Sequence, residues 1–257
     1  MSAEGRTSVG PYAFPLALVL CWPILLYADA NTVTRADQHL LGLLTFAFLV
    51  LALRASPREE RRQVWLLVLV ATIAEVLLSV VWGLYRYRWG NVPLFVPPGH
   101  GLIFLFVLRM ARTSLLARHG RLVVRGALVC GCAWAVAGVT VLPVFGGRLD
   151  LVGVALLPLF IVLLRSRAAA MAAVAFFVIA ELELIGTALG NWTWAEAAPV
   201  TGYPAGNPPA VVSVGYCLLE LAALRVAAAL PAAPARLGRG RLGTLQSRRV
   251  RLTLEPR

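Results

Sequence analysis

The chain contains no lysine; all 24 of its basic residues are arginine. So one-sided a choice reads as the codon bias of a GC-rich bacterial genome, not as chemistry. Charge of either sign is scarce. Of 257 residues, 14% are charged and 60% hydrophobic, whereas soluble domains are roughly half apolar and a quarter charged. With a mean hydropathy of +0.79, a soluble fold is excluded, because lipid must solvate most of such a surface. Cysteine is limited to Cys21, Cys130, Cys132 and Cys217, all inside apolar runs. The Cys130-x-Cys132 spacing fits neither a zinc knuckle nor a thioredoxin-type pair, so these residues read as small core side chains. Of the three histidines, His39 and His119 fall on opposite sides of any membrane topology drawn below, which leaves no histidine-based metal site. G-x-S-x-G, Walker A and H-E-x-x-H motifs are absent, so no metal and no cofactor is called for. Asp29 and Asp37 flank one loop without the density of a prenyl-diphosphate magnesium site. The net charge of +12 would suit a phosphate backbone. No nucleic-acid motif accompanies it, and no aromatics interleave with the basic clusters, so a nucleic-acid partner is not expected.

What the chain does have is long apolar segments, near 13–29, 37–53, 64–84, 99–116, 122–142, 149–164, 168–189 and 209–230. Most approach the ~20 residues that cross a bilayer as helix; the second and sixth are short. None shows the alternation of barrel strands, so helices are the spanning structure. The sequence therefore predicts an all-α, polytopic transmembrane bundle of about eight helices. Arginines cluster after segment two (Arg54, Arg58, Arg61, Arg62), four (Arg112, Arg118, Arg121, Arg125) and six (Arg165, Arg167), and in the tail 231–257. The other loops carry only Arg35, Arg86, Arg88 and Arg148. By the positive-inside rule both termini are cytoplasmic, in a bacterial inner membrane, with membrane lipids as partners. The basic tail reads as disordered. Arg6, the run from Phe14 to Leu26 and Ala28-Asp29-Ala30 also resemble a cleavable signal; retention is the favoured expectation, because this segment takes part in the duplication described next.

Two stretches are near-copies. Glu75 is followed by Gly83-x-Tyr85-x-Tyr87 and Pro97-Pro98, and Glu181/Glu183 by Gly190-x-Trp192-x-Trp194 and Pro208-Pro209. A shift of 107 residues aligns the glycine and aromatics, and four extra residues in the second loop align the double prolines. The expectation is two parallel four-helix repeats, 1–118 and 119–230, a plan that places sites at the repeat interface. Glycine permits the helix to end in a turn, aromatic-x-aromatic puts both rings on one side of an extended segment, and proline suits the first turn of the next helix.

Carboxylates within the hydrocarbon region are costly and normally face a bundle interior or wet cavity. Glu75 is one; Glu183 is the favoured counterpart over Glu181, because Gly186 and Gly190 give its face the small residues of close helix packing. Glu220 and Arg109 fall at equivalent places after the loop correction, where an ion pair between the copies competes with snorkelling of Arg109. His100 opens the segment after Pro97-Pro98 and its counterpart is apolar, which marks specialisation. Candidate catalytic residues are Glu75, Glu183 and His100. Candidate substrate-binding residues are Tyr85, Tyr87, Trp192, Trp194, Asn191 and Asn207.

The run Glu183-Leu184-Ile185-Gly186-Thr187, then Gly190, Trp192-Thr193-Trp194, Pro199 and Pro204, resembles a motif of integral membrane carotenoid-biosynthesis proteins of the carotenoid-hydratase type. This chain has tryptophan where that family tends to have tyrosine. The resemblance implies protonation of an isoprenoid double bond, which needs an acid in a dry site and aromatic faces that stabilise a cation. Three functions follow: action on a lipophilic, isoprenoid-like small molecule at the outer face; a proton-coupled carrier or permease; and a non-catalytic membrane scaffold or assembly factor.

Overall fold

The computed structural model describes residues 10–229; the tail from 231 lies outside the described residues. Within them all eight expected apolar segments form helices. They are α1 (Gly10–Ala30), α2 (Arg35–Arg54), α3 (Arg58–Glu75), α4 (Val96–Ala111), α5 (Ser114–Thr140), α6 (Leu151–Leu164), α7 (Ala169–Ala188) and α8 (Ser213–Ala229). A π-helical turn, Val76–Val81, continues α3 directly after Glu75. Helix starts follow side-chain chemistry. Thr34 and Asp37 form a reciprocal capping box on α2, and Thr113 and Asp150 cap α5 and α6.

Two boundaries differ from expectation. Three of the four arginines expected in the loop after the fourth segment, Arg118, Arg121 and Arg125, ride instead on α5, since Thr113 caps that helix before them, while Arg112 stays between the helices. The expected division at 118/119 thus falls inside α5. Likewise α2 is not short: it reaches 20 residues by taking in Arg35 and Arg54. By length and composition five helices can cross a membrane: Tyr12–Ala30, Arg35–Arg54, Arg58–Val81, Ser114–Thr140 and Ala169–Ala188. Helices α4 and α6 are shorter apolar helices. Outward faces carry unpaired apolar side chains, among them Leu20, Ile24, Leu43, Leu69 and Ile73, a surface that suits lipid and not water.

At the centre stand α3, α4, α7 and α8, packed as α3 on α4 and α8, and α7 on α4 and α8. Helix α4 is buried all round from Pro98 to Leu108, which explains its uniform apolarity. The first and second halves of the chain therefore share one core. Around it, α2 packs on α4, α1 on α4 and α7, α5 on α6 and α7, and α6 also on α8.

At one end of the bundle two short strands, β1 (Tyr85–Tyr87) and β2 (Trp192–Trp194), pair antiparallel. Tyr85 lies opposite Trp194, Arg86 opposite Thr193 and Tyr87 opposite Trp192. Gly83 and Gly190 precede them at φ +67° and +74°, the left-handed region that glycine enters without cost. Three of the four arginines at this end clamp the loops by donating to carbonyls: Arg88 to Ala30 and Asp29, Arg35 to Trp89, and Arg148 to Trp194. Asp29 is fully buried and accepts from Gln38 and Asn191, so the Ala28-Asp29-Ala30 sequence is tied into the fold.

At the opposite end Glu60 gathers the cations. It accepts from Ser56 and Arg112, and Arg109 Nε lies 3.7 Å from its Oε1. Of the two alternatives for Arg109, the ion pair with Glu220 is not made; Arg109 turns to Ala52, Ser56 and Glu60 and to the ring of Phe14.

Candidate functional site

Alternation along the two strands sends Tyr85, Tyr87, Trp192 and Trp194 inward while Arg86 and Thr193 face out. The four rings reach down to the ends of α3 and α7, and each pair finds a carboxyl group. Glu75 Oε2 accepts from the hydroxyls of Tyr85 (2.7 Å) and Tyr87 (2.8 Å). Glu183 Oε2 accepts from the indole N–H groups of Trp192 (2.9 Å) and Trp194 (3.0 Å). Of the two acids in α7, Glu183 is the one so engaged. Glu181 is half-buried and lines a separate apolar hollow with Phe106, Met110 and Phe177.

Each remaining carboxyl oxygen meets a ring from the next helix. His100 Nε2 of α4 lies 2.8 Å from Glu75 Oε1, and the Tyr216 hydroxyl of α8 lies 3.1 Å from Glu183 Oε1. These two rings stack, with centroids 5.1 Å apart and planes 22° apart. A continuous line thus runs Glu75, His100, Tyr216, Glu183 across the bundle. Further ring contacts tie the ribbon together: Tyr85 with Trp194 at 4.8 Å and Tyr87 with Trp192 at 6.1 Å. Tyr216 is the member that sequence reasoning missed.

Chemically, Glu183 Oε2 faces only indole N–H groups, which cannot accept, so a proton on Glu183 sits on Oε1, toward Tyr216. Glu75 instead meets groups that both donate and accept, two phenols at Oε2 and His100 at Oε1. Burial, and secondarily the adjacent Glu75, push the phenols of Tyr85 and Tyr87 well above the usual tyrosine range, which makes both fixed donors. Gly186, expected to promote helix packing, instead makes room for a ring: a Cβ there would overlap the indole of Trp192.

Two cavities adjoin this line. The larger, about 380 Å³, lies between the π-turn, α6 and α8 and is bounded by Glu75, Tyr85, His100, Trp194 and Tyr216. Its remaining wall is aliphatic, including Leu78, Val152, Leu156 and Leu219. The smaller, about 60 Å³, lies on the α1 side against Trp22, Glu75, Glu183, Tyr87 and Trp192. Asn191 and Asn207, expected at the ligand, bound neither cavity. Asn191 donates to Asp29 and to the Leu26 carbonyl, and Asn207 accepts from the Trp194 N–H. Both hold the loops that hold the rings. Among the described residues, no group of three or more His, Cys, Asp or Glu is placed to hold a metal ion. No family model, curated protein or solved structure matches the chain.

Proposed function

We propose that the protein is a multi-pass protein of the bacterial cytoplasmic membrane, with both termini cytoplasmic, that transfers a proton to a lipophilic, isoprenoid-like molecule. One observation carries the reading: the buried Glu75–His100 pair opens on an apolar cavity whose other polar wall groups are ring donors. Drug-sized ligands occupy pockets of ~300–1,000 Å³ that are mostly apolar with a few placed polar groups. In this reading the pair gives its proton to a carbon–carbon double bond, and the faces of Tyr85 and Trp194 stabilise the cation that results. Water addition, or loss of a proton from the neighbouring carbon, ends the reaction. The aliphatic wall disfavours a carrier of hydrophilic solutes. The carotenoid-hydratase-type motif belongs to the same proposal.

We also take the chain as two parallel four-helix repeats related by an axis along the membrane normal. The ribbon register supports this, since a shift of 107 residues turns the pair Tyr85–Trp194 into Trp192–Tyr87. In the last helix of each repeat the fitting shift is 116, not the one aligning the double prolines. It sets Gly99-His100 on Gly215-Tyr216 and Arg109 on Arg225. His100 then has an aromatic counterpart rather than an apolar one. The buried Asp29 network supports retention of α1 as a helix.

The test is Glu75→Gln in the source strain, with extracted lipids and pigments compared by mass spectrometry. Loss of a product and accumulation of its unsaturated precursor are expected. An unchanged profile, with the variant present at normal level in the membrane, overturns the proposal.

A further inference from the structure

The two acids are bonded alike but are not reached alike. Glu75 bounds both cavities, whereas Glu183 bounds only the small one. The difference traces to two glycines, each immediately before the ring that meets an acid. A Cβ on Gly99 would meet the Trp22 ring at 3.3 Å, so α1 shuts that side. A Cβ on Gly215 would meet nothing within 4 Å. Gly215 is exposed, it bounds the large cavity, and beside it stand Leu218, itself 45% exposed, and the half-buried Ala74 and Leu78. This rim carries no charge, and it lies where α6 and the π-turn stand apart over α8. On the closed side, the cavity's walls are buried except for half-buried Val96 and Tyr216, and its volume of about 60 Å³ has room for a few waters. The buried Trp22 Nε1, which has no protein partner, is the donor that such water would meet.

We infer that the site has a single door, lateral and lipid-facing, at Gly215: an apolar chain segment dissolved in the bilayer enters there and meets Glu75 alone. Glu183 is a positioning residue, which holds Trp194 and Tyr216 in the cavity wall. This deepens the functional reading and rests on it for the identity of the ligand. The door itself needs no substrate to be tested.

The full chain is reconstituted in phosphatidylcholine vesicles and treated with dicyclohexylcarbodiimide, a lipid-soluble reagent that adds to carboxyl groups with all atoms retained. A water-soluble cationic carbodiimide is run in parallel. Products are mapped by mass spectrometry. The expected result is modification of Glu75 by the lipid-soluble reagent alone, with Glu183 unmodified. Gly215→Trp removes the Glu75 product while Gly215→Ala keeps it, and both variants elute as the native protein does in gel filtration. Trp22→Ala admits the reagent to Glu183. Labelling of Glu183 alongside Glu75 in the native chain, labelling of neither, or undiminished Glu75 labelling in Gly215→Trp each overturns the inference. An unaltered lipid profile in Glu75→Gln with this labelling pattern intact would sink the proposed reaction and leave the door standing.

Discussion

Glu75 and Glu183 present the same acceptor atoms to different donors, phenols and an imidazole for one, indoles and a phenol for the other. Indole nitrogen cannot accept a bond, so among the described residues Tyr216 is the one partner of the Glu183 carboxyl group that could accept a proton from it. Two predictions belong at this scale. Gly186→Ala forces the Trp192 ring off its seat and costs about 1–3 kcal/mol, the usual penalty of overpacking, read as a lowered midpoint of thermal unfolding in detergent. Tyr85→Phe leaves the alkaline absorbance titration of the protein unchanged at ordinary alkaline pH. The phenol's upward shift keeps it protonated until well after normal tyrosines ionise; an early loss of one titrating group in the variant would contradict the geometry. The acids, the spaced rings and His100 were all legible in the sequence, because charge within an apolar run and period-two aromatics are local signals. Tyr216 was not. The signal for it was the Gly-ring and arginine spacing shared with His100, hidden by alignment on the double prolines.

The antiparallel ribbon is the element that makes one site of two motifs. Extended backbone at Tyr85–Tyr87 and Trp192–Trp194 follows from the aromatic spacing, but nothing local says that the two segments pair with each other. Opposed positions of a hydrogen-bonded antiparallel pair have Cα atoms ~5.5 Å apart, within the ~4.4–6.8 Å that a disulfide spans. Arg86 and Thr193 are opposed and both face outward. Arg86→Cys with Thr193→Cys, in a chain whose four native cysteines are replaced by alanine, should therefore cross-link under mild oxidation. The link would show as an intact band after proteolysis between the halves. Failure to link while each thiol reacts singly would refute the pairing. The π-turn after Glu75 has no equivalent in α7, which runs as regular helix to Ala188. Such turns are frequent at functional sites, and this one places Leu78 on the cavity wall.

Over the whole molecule, the arginine distribution is the basis of the proposed orientation, in which the ribbon lies outside. A C-terminal green fluorescent protein fusion should fluoresce, an alkaline phosphatase fusion at the same point should be inactive, and Arg86→Cys should react with an impermeant maleimide in intact cells. The reverse pattern would invert the topology and move the site to the cytoplasmic face. The sequence by itself determined the helices, their approximate limits, the doubled motif and the cluster's acids, spaced rings and His100, because hydropathy, glycine and proline all act within a few neighbours. Tertiary structure alone decided that Tyr216 joins the cluster, that Arg109 meets Glu60 and not Glu220, and that the Trp22 ring stands against Gly99 while nothing stands against Gly215. Those outcomes depend on contacts between segments far apart in the chain. Such contacts are selected by the packing of whole helices against one another, and no local pattern encodes that choice.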